Sequence, residues 1–193
     1  VAGIAAINGA KVARSLLWAV YPFVVFYSLD VIEPRTLGLL LLLMLILRNH
    51  YEARRFLRGL GWLSHAVLAA LVALSVGVMA TNSELLLRLY PAAINLGMLL
   101  LFGLSLLHPP SMVEQFARLH KPQLSAADIV YTRRVTIIWC VFFVANGALA
   151  AYTALLGSRE LWVLYNGLIA YVLIGALMGG EWLYRRYVRG ERA

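Results

Sequence analysis

Six nearly unbroken apolar runs divide the chain, at roughly 15–29, 36–47, 62–80, 89–107, 135–156 and 162–178. A helix needs about 20 apolar residues to cross a hydrocarbon core of about 30 Å, and the last four runs meet that length. The first two are shorter: about 15 and 12 residues at 1.5 Å each reach roughly 22 and 18 Å. They suit short crossings aided by snorkelling of Lys11, Arg14, Arg35 and Arg48 and by local thinning of the bilayer. The alternative is a re-entrant hairpin turning at Asp30, Glu33 and Pro34. The pattern therefore predicts an all-α polytopic membrane protein, one helical domain over 1–193 with about six transmembrane segments.

Connections between runs are short except for 108–134, HPPSMVEQFARLHKPQLSAADIVYTRR. Ser111 followed by Glu114 has capping-box spacing and predicts a helix starting just after Pro109–Pro110. In that helix Met112, Val113, Phe116 and Leu119 share one face, while Glu114, Gln115, Arg118 and Lys121 point elsewhere. Such a segment is expected to lie on the inner leaflet as a short interfacial helix. Ser125 with Asp128 is a second cap, opening the next helix.

Composition agrees with lipid as the solvent. Of 193 residues, 62% are hydrophobic and 13% charged, and mean hydropathy is +0.80. A soluble domain is nearer half apolar and a quarter charged, so soluble enzymes, DNA-binding domains and secreted disulfide scaffolds fit poorly. The lone Cys140 lies inside an apolar run and leaves no intramolecular disulfide. No small-residue cleavage site follows the first apolar stretch, so a removable signal peptide is not expected.

The net charge of +8 is distributed unevenly. If every run crosses, 14 of the 17 basic residues fall on one side and only Arg35, Arg88 and Arg159 on the other. The positive-inside rule then places both termini in the cytoplasm of a bacterial inner membrane, and a re-entrant first hairpin gives the same parity. Trp62, Trp139 and Trp182 near the inner ends, with Trp162 and Tyr90 near the outer ends, fit aromatic belts. Basic clusters beside apolar runs are accounted for by anionic headgroups, so no nucleic-acid partner is expected.

Candidate chemistry is sparse. There is no nucleotide-binding glycine pattern, P-loop, zincin helix or nucleophile elbow, and no Asp, Glu, Lys or Arg deep in a run. His65 near an inner end reads as an interfacial hydrogen bonder. Asn95, Asn146 and Asn166 lie within three different runs. Their ordinary use is interhelical hydrogen bonding, at about 0.6–2 kcal/mol each; the sharper alternative is a polar pocket completed by Tyr152 and Tyr165. Gly175/Gly179, with the looser pairs Ala73/Gly77 and Gly147/Ala151, let helices approach closely, within one bundle or, alternatively, in a homo-oligomer. His108, Glu114, His120 and Asp128 match no metal-ligand spacing, so neither a metal nor another cofactor is expected. Arg118, Lys121, Arg133 and Arg134 suit phosphate contact, because guanidinium groups grip phosphate bidentately. Glu181 is the acid placed to pair with one of them.

The succession HPPSMVEQFARL (108–119), YTRRVTIIWC (131–140), FFVANG (142–147), LWVLYNGLIAY (161–171) and GGEWLYRR (179–186) resembles a family of small bacterial inner-membrane proteins of unassigned activity. Members are often encoded among aryl-polyene pigment biosynthesis genes. More distantly the pattern is similar to the intracellular septation protein A family, multi-span inner-membrane proteins linked to envelope integrity. The resemblance implies an envelope role in a Gram-negative bacterium and carries over no catalytic residue.

Three function classes follow. The leading expectation is a non-enzymatic accessory protein of cell-envelope biogenesis, which binds lipid or a lipid-linked product, or scaffolds envelope-biosynthesis proteins. Its binding residues would be Arg118, Lys121, Arg133, Arg134 and Glu181. A transporter would place its site among Asn95, Asn146, Tyr152, Tyr165 and Asn166. A membrane enzyme would use His108, His120 or Glu114 on a lipid substrate at the cytoplasmic face.

Overall fold

The computed structural model describes residues 33–49 and 61–187. The first apolar run, 15–29, lies outside the described residues. Within them the elements are α1 (Pro34–Asn49), α2 (Gly61–Thr81), α3 (Glu84–Arg88), α4 (Tyr90–Leu107), α5 (Met112–His120), α6 (Ala126–Leu155), α7 (Arg159–Leu164), a π-helical turn (Tyr165–Ile169) and α8 (Ala170–Tyr187). Among the described residues four helical stretches are long and apolar enough to cross a membrane: Trp62–Thr81, Tyr90–Leu107, Ala126–Leu155 and Arg159–Tyr187. The protein is an all-helical membrane protein.

The chain divides into two compact units, the larger one spanning Pro34–Leu156. In this unit α1, α2, α4 and α6 run alternately up and down. The start of α1 meets the end of α2, where the Arg35 amide donates to Asn82 Oδ1 at 2.9 Å and Arg35 Nε to the Met79 carbonyl at 3.1 Å. Asn82 takes φ 50° there, a left-handed turn that asparagine tolerates well. One turn into α1, a Cβ on Gly38 would stand 3.2 Å from the Ser75 carbonyl, so only glycine permits this closeness of the two helices. At the next interface a Cβ on Gly97 would meet Val67 Cγ1 at 2.6 Å, which fixes how tightly α4 lies on α2.

The main interface joins α4 and α6 in antiparallel register. Arg88 Nη2 donates to the Thr153 carbonyl at 2.8 Å and Asn146 Nδ2 to Asn95 Oδ1 at 3.0 Å. Farther along, Phe102 meets Phe143 edge-on with centroids 5.1 Å apart, and Arg133 Nη1 donates to the Leu106 carbonyl at 2.9 Å. Positions climb α4 as they descend α6, so the contacts span the full height of the unit. Near one end Phe102, Phe143 and Met112 form a buried apolar cluster, with Trp139 and Phe142 packed against it.

α6 begins nine residues before the apolar run at 135. The reason is the expected cap: Ser125 Oγ accepts from the Asp128 amide while the Asp128 carboxylate accepts from the Ser125 amide. This reciprocal pairing satisfies two amides at a helix start. Arg133 and Arg134 therefore sit on a continuous helix, not in a connecting segment.

The smaller unit contains Gly157–Tyr187 among its described residues. Ser158 caps α7 by accepting from the Leu161 amide. The helix passes through the π-helical turn, where Asn166 Nδ2 donates to the Trp162 carbonyl at 3.0 Å, and continues as α8. The Trp162 carbonyl also accepts from the Tyr165 amide, so the asparagine side chain adds a second donor where the ladder changes to the wider π turn. A Cβ on Gly175 or Gly179 would meet nothing within 4 Å, so this spacing serves no close helix approach among the described residues.

Candidate functional site

The strongest concentration of polar side chains in the larger unit lies at the end carrying α5. The capping box expected at Ser111 and Glu114 does not form: Ser111 makes no side-chain cap bond, and its buried Oγ has no hydrogen-bond partner among the described residues. Two hydroxyls from other helices replace it. Ser105 Oγ on α4 accepts from the Met112 amide at 2.8 Å, and Thr136 Oγ1 on α6 accepts from the Val113 amide at 3.2 Å. The first turn of a helix leaves amides without partners, and here the bundle itself satisfies two of them. Met112, 1% exposed, is the plug that this arrangement drives into the core.

Glu114 is correspondingly displaced from its expected outward position. It is buried and receives Arg118 Nη2 at 2.7 Å and Nε at 3.0 Å. Arg118 also donates to the Pro122 carbonyl at 3.3 Å. Lys121 Nζ contacts Asp128 Oδ2 at 3.0 Å. The Lys121 ammonium, followed by the Ser125 hydroxyl and amide, holds the Asp128 carboxyl well below the usual carboxylate range. With Arg133 tied to the Leu106 carbonyl, three of the four predicted phosphate-binding cations have contacts within the fold. Arg134 is exposed. The outer face of α5 presents Phe116 and Leu119, the latter 68% exposed, beside Arg118 and Lys121. Glu181 pairs with Arg185 at 2.9 Å along its own helix, and Arg186 lies 5.2 Å over the Trp182 ring.

Of the five residues in the predicted polar pocket, the structure brings Asn95 and Asn146 together. Both are buried, and Asn95 Nδ2 also donates to the Pro91 carbonyl at 2.8 Å. Tyr152 is 55% exposed, and Tyr165 and Asn166 belong to the smaller unit. His108 is exposed. Among the described residues there is no group of three or more His, Cys, Asp or Glu arranged to hold a metal ion. The hydroxyls of Ser105 and Thr136 escaped the sequence reading. Their signal is a small hydroxyl residue near the end of each of two apolar runs that flank an amphipathic segment.

At the opposite end stand Arg35 and Arg88, so the larger unit separates two described cations at one end from Arg118, Lys121, Arg133 and Arg134 at the other.

The chain is 26% identical over 164 residues to the inner membrane-spanning protein YciB of Magnetococcus marinus, a match covering 82% of this chain and 80% of that protein. No family model and no solved structure matches the chain. The likeness accords with the similarity to inner-membrane proteins read from the sequence and does not bear on pigment biosynthesis.

Proposed function

We propose that this protein is an accessory component of a bacterial inner membrane that acts by binding, with six crossings and both termini in the cytoplasm. Its ligand is the phosphate-bearing head of an anionic lipid or a lipid-linked envelope product, held at the end of the bundle that carries α5. A lipid-linked aryl polyene is one such product, by the resemblance noted above. The same surface serves to hold an acidic biosynthetic partner.

The observation that carries this reading is α5 itself. Two hydroxyls fix its start to the bundle, while Phe116 and Leu119 face outward beside cations. An amphipathic helix so placed buries its apolar face in the headgroup zone, where each basic residue contributes about 1 kcal/mol of attraction to an anionic surface. The separation of cations between the two ends supports a cytoplasmic position for this one. α1 pairs antiparallel with the end of α2 at Arg35 and Gly38 and continues as a helix to Asn49, which supports a crossing by that short helix over a re-entrant turn.

The test is lipid selectivity in reconstituted bilayers, read from the motionally restricted fraction of spin-labelled lipid. Phosphatidylglycerol should be favoured over phosphatidylcholine. Arg134→Ala should reduce that preference about fivefold, the factor for one surface charge, with helix content intact. A preference unchanged in Arg133→Ala/Arg134→Ala sinks the assignment.

A further inference from the structure

A groove of about 420 Å³ runs down the larger unit between α2, α4 and α6. Its walls are apolar, with Leu74 and Leu96 on its sides and Ala92, Ala93, Gly147 and Ala151 making it deep. The volume lies in the roughly 300–1,000 Å³ range of ligand-binding clefts. These residues belong to helices that cross the membrane, so the medium around the groove is hydrocarbon. Small side chains on α4 and α6 open the space. Gly147 is also the point where α6 comes nearest to Asn95, since a Cβ there would stand 3.0 Å from the Asn95 Cβ.

One end of the groove lies next to a cation that is not part of its lining. Leu89 lines it, and the preceding residue is Arg88, whose Nη2 bonds to the Thr153 carbonyl two residues beyond the lining Ala151. The guanidinium thus sits where α4 and α6 close over the groove mouth. A cation at the mouth of an apolar slot within the bilayer is complementary to one molecule type: a hydrocarbon tail below a phosphate head. We propose that this groove holds one acyl chain of an anionic phospholipid, with the lipid phosphate at Arg88. The site lies at the opposite end of the unit from α5 and stands or falls independently of the binding surface proposed there.

The full chain, reconstituted in phosphatidylcholine vesicles containing phosphatidylglycerol with a chain-borne diazirine, tests this by photocrosslinking and peptide mapping. Adducts should concentrate on Ala92, Ala93 and Ala151 over the lipid-exposed Val141 and Val144. A diacylglycerol probe, which lacks the phosphate, should label the lining about tenfold less, the worth of a charge-assisted hydrogen bond. Arg88→Gln should erase that difference and Arg88→Lys retain it, while Ala93→Phe/Ala151→Phe should lower lining adducts to the level at Val144. Arg134→Ala should change none of these yields. Adducts spread evenly over exposed positions overturn the proposal, as does equal labelling of the lining by both probes. The wild-type map decides the matter even where a filled variant fails to fold.

Discussion

Asn146 on α6 donates its side-chain amide to the side-chain oxygen of Asn95 on α4 at 3.0 Å, and both residues are buried. The bond closes midway along the antiparallel interface, with Gly147 beside it permitting the approach. In hydrocarbon such a pair joins two helices and sets their register, because each amide alone has no water to turn to.

Replacing either asparagine with leucine should destabilise the bundle by about 0.6–2 kcal/mol. Asn95→Leu and Asn146→Leu should be non-additive in a double-mutant cycle, since either change removes the same bond. Unfolding in mixed micelles measures this. Strict additivity would show that the bond contributes nothing.

Glycine substitutions should sort by what a Cβ meets. Gly97→Ala drives a methyl to 2.6 Å from Val67 Cγ1, and overpacking of this kind costs about 1–3 kcal/mol. Val67→Ala should restore most of the loss. Gly103→Ala meets nothing within 4 Å and should be neutral or slightly stabilising, as alanine is the better helix former.

The attachment of α5 rests on two hydroxyls. Ser105→Ala or Thr136→Val leaves a buried amide without its acceptor, at a cost of about 1–3 kcal/mol. Hydrogen exchange at Met112 should quicken in the first variant and at Val113 in the second. Unchanged protection at both amides would show that α5 is held by other contacts.

The Ser125–Asp128 cap should tolerate mild acid. Asp128 is depressed by Lys121 and Ser125. Its contribution is therefore fully present above the ordinary carboxylate pKa and is lost only as pH falls through the lower folded value. Carbon chemical shifts of the Asp128 carboxyl should stay at the ionised position from neutral pH down through about pH 4. Titration at or above that point would contradict the clasp. Ser125→Ala should cost about 0.5–2 kcal/mol.

What the sequence made legible follows from how local each determinant is. Hydropathy marked α2, α4, α6 and the final helix because lipid demands long apolar runs, and Ser125 with Asp128 read correctly because that cap closes within four residues. Ser111 and Glu114 have the same spacing, yet hydroxyls from residues 105 and 136 took the amides and Arg118 took the carboxylate. That outcome depends on packing among three helices. Small-residue spacing pointed to Gly147, where α6 does approach Asn95, and to Gly175 and Gly179, which meet nothing among the described residues; it missed Gly38 and Gly97, whose close approaches are set by what stands opposite. Asn95 and Asn146 were recognisable as interhelical bonders, and their choice of each other needed the register of α4 on α6, whereas Asn166 bonds to the Trp162 carbonyl one turn back along its own helix.

The most direct measurement is native mass spectrometry of the full chain released gently from its own membranes. Two stoichiometric phospholipid or lipid-linked adducts are the predicted result, one lost in Arg133→Ala/Arg134→Ala but kept in Arg88→Gln, the other lost in Arg88→Gln alone. A bare chain, or one carrying only another protein, would contradict lipid binding at the α5 end.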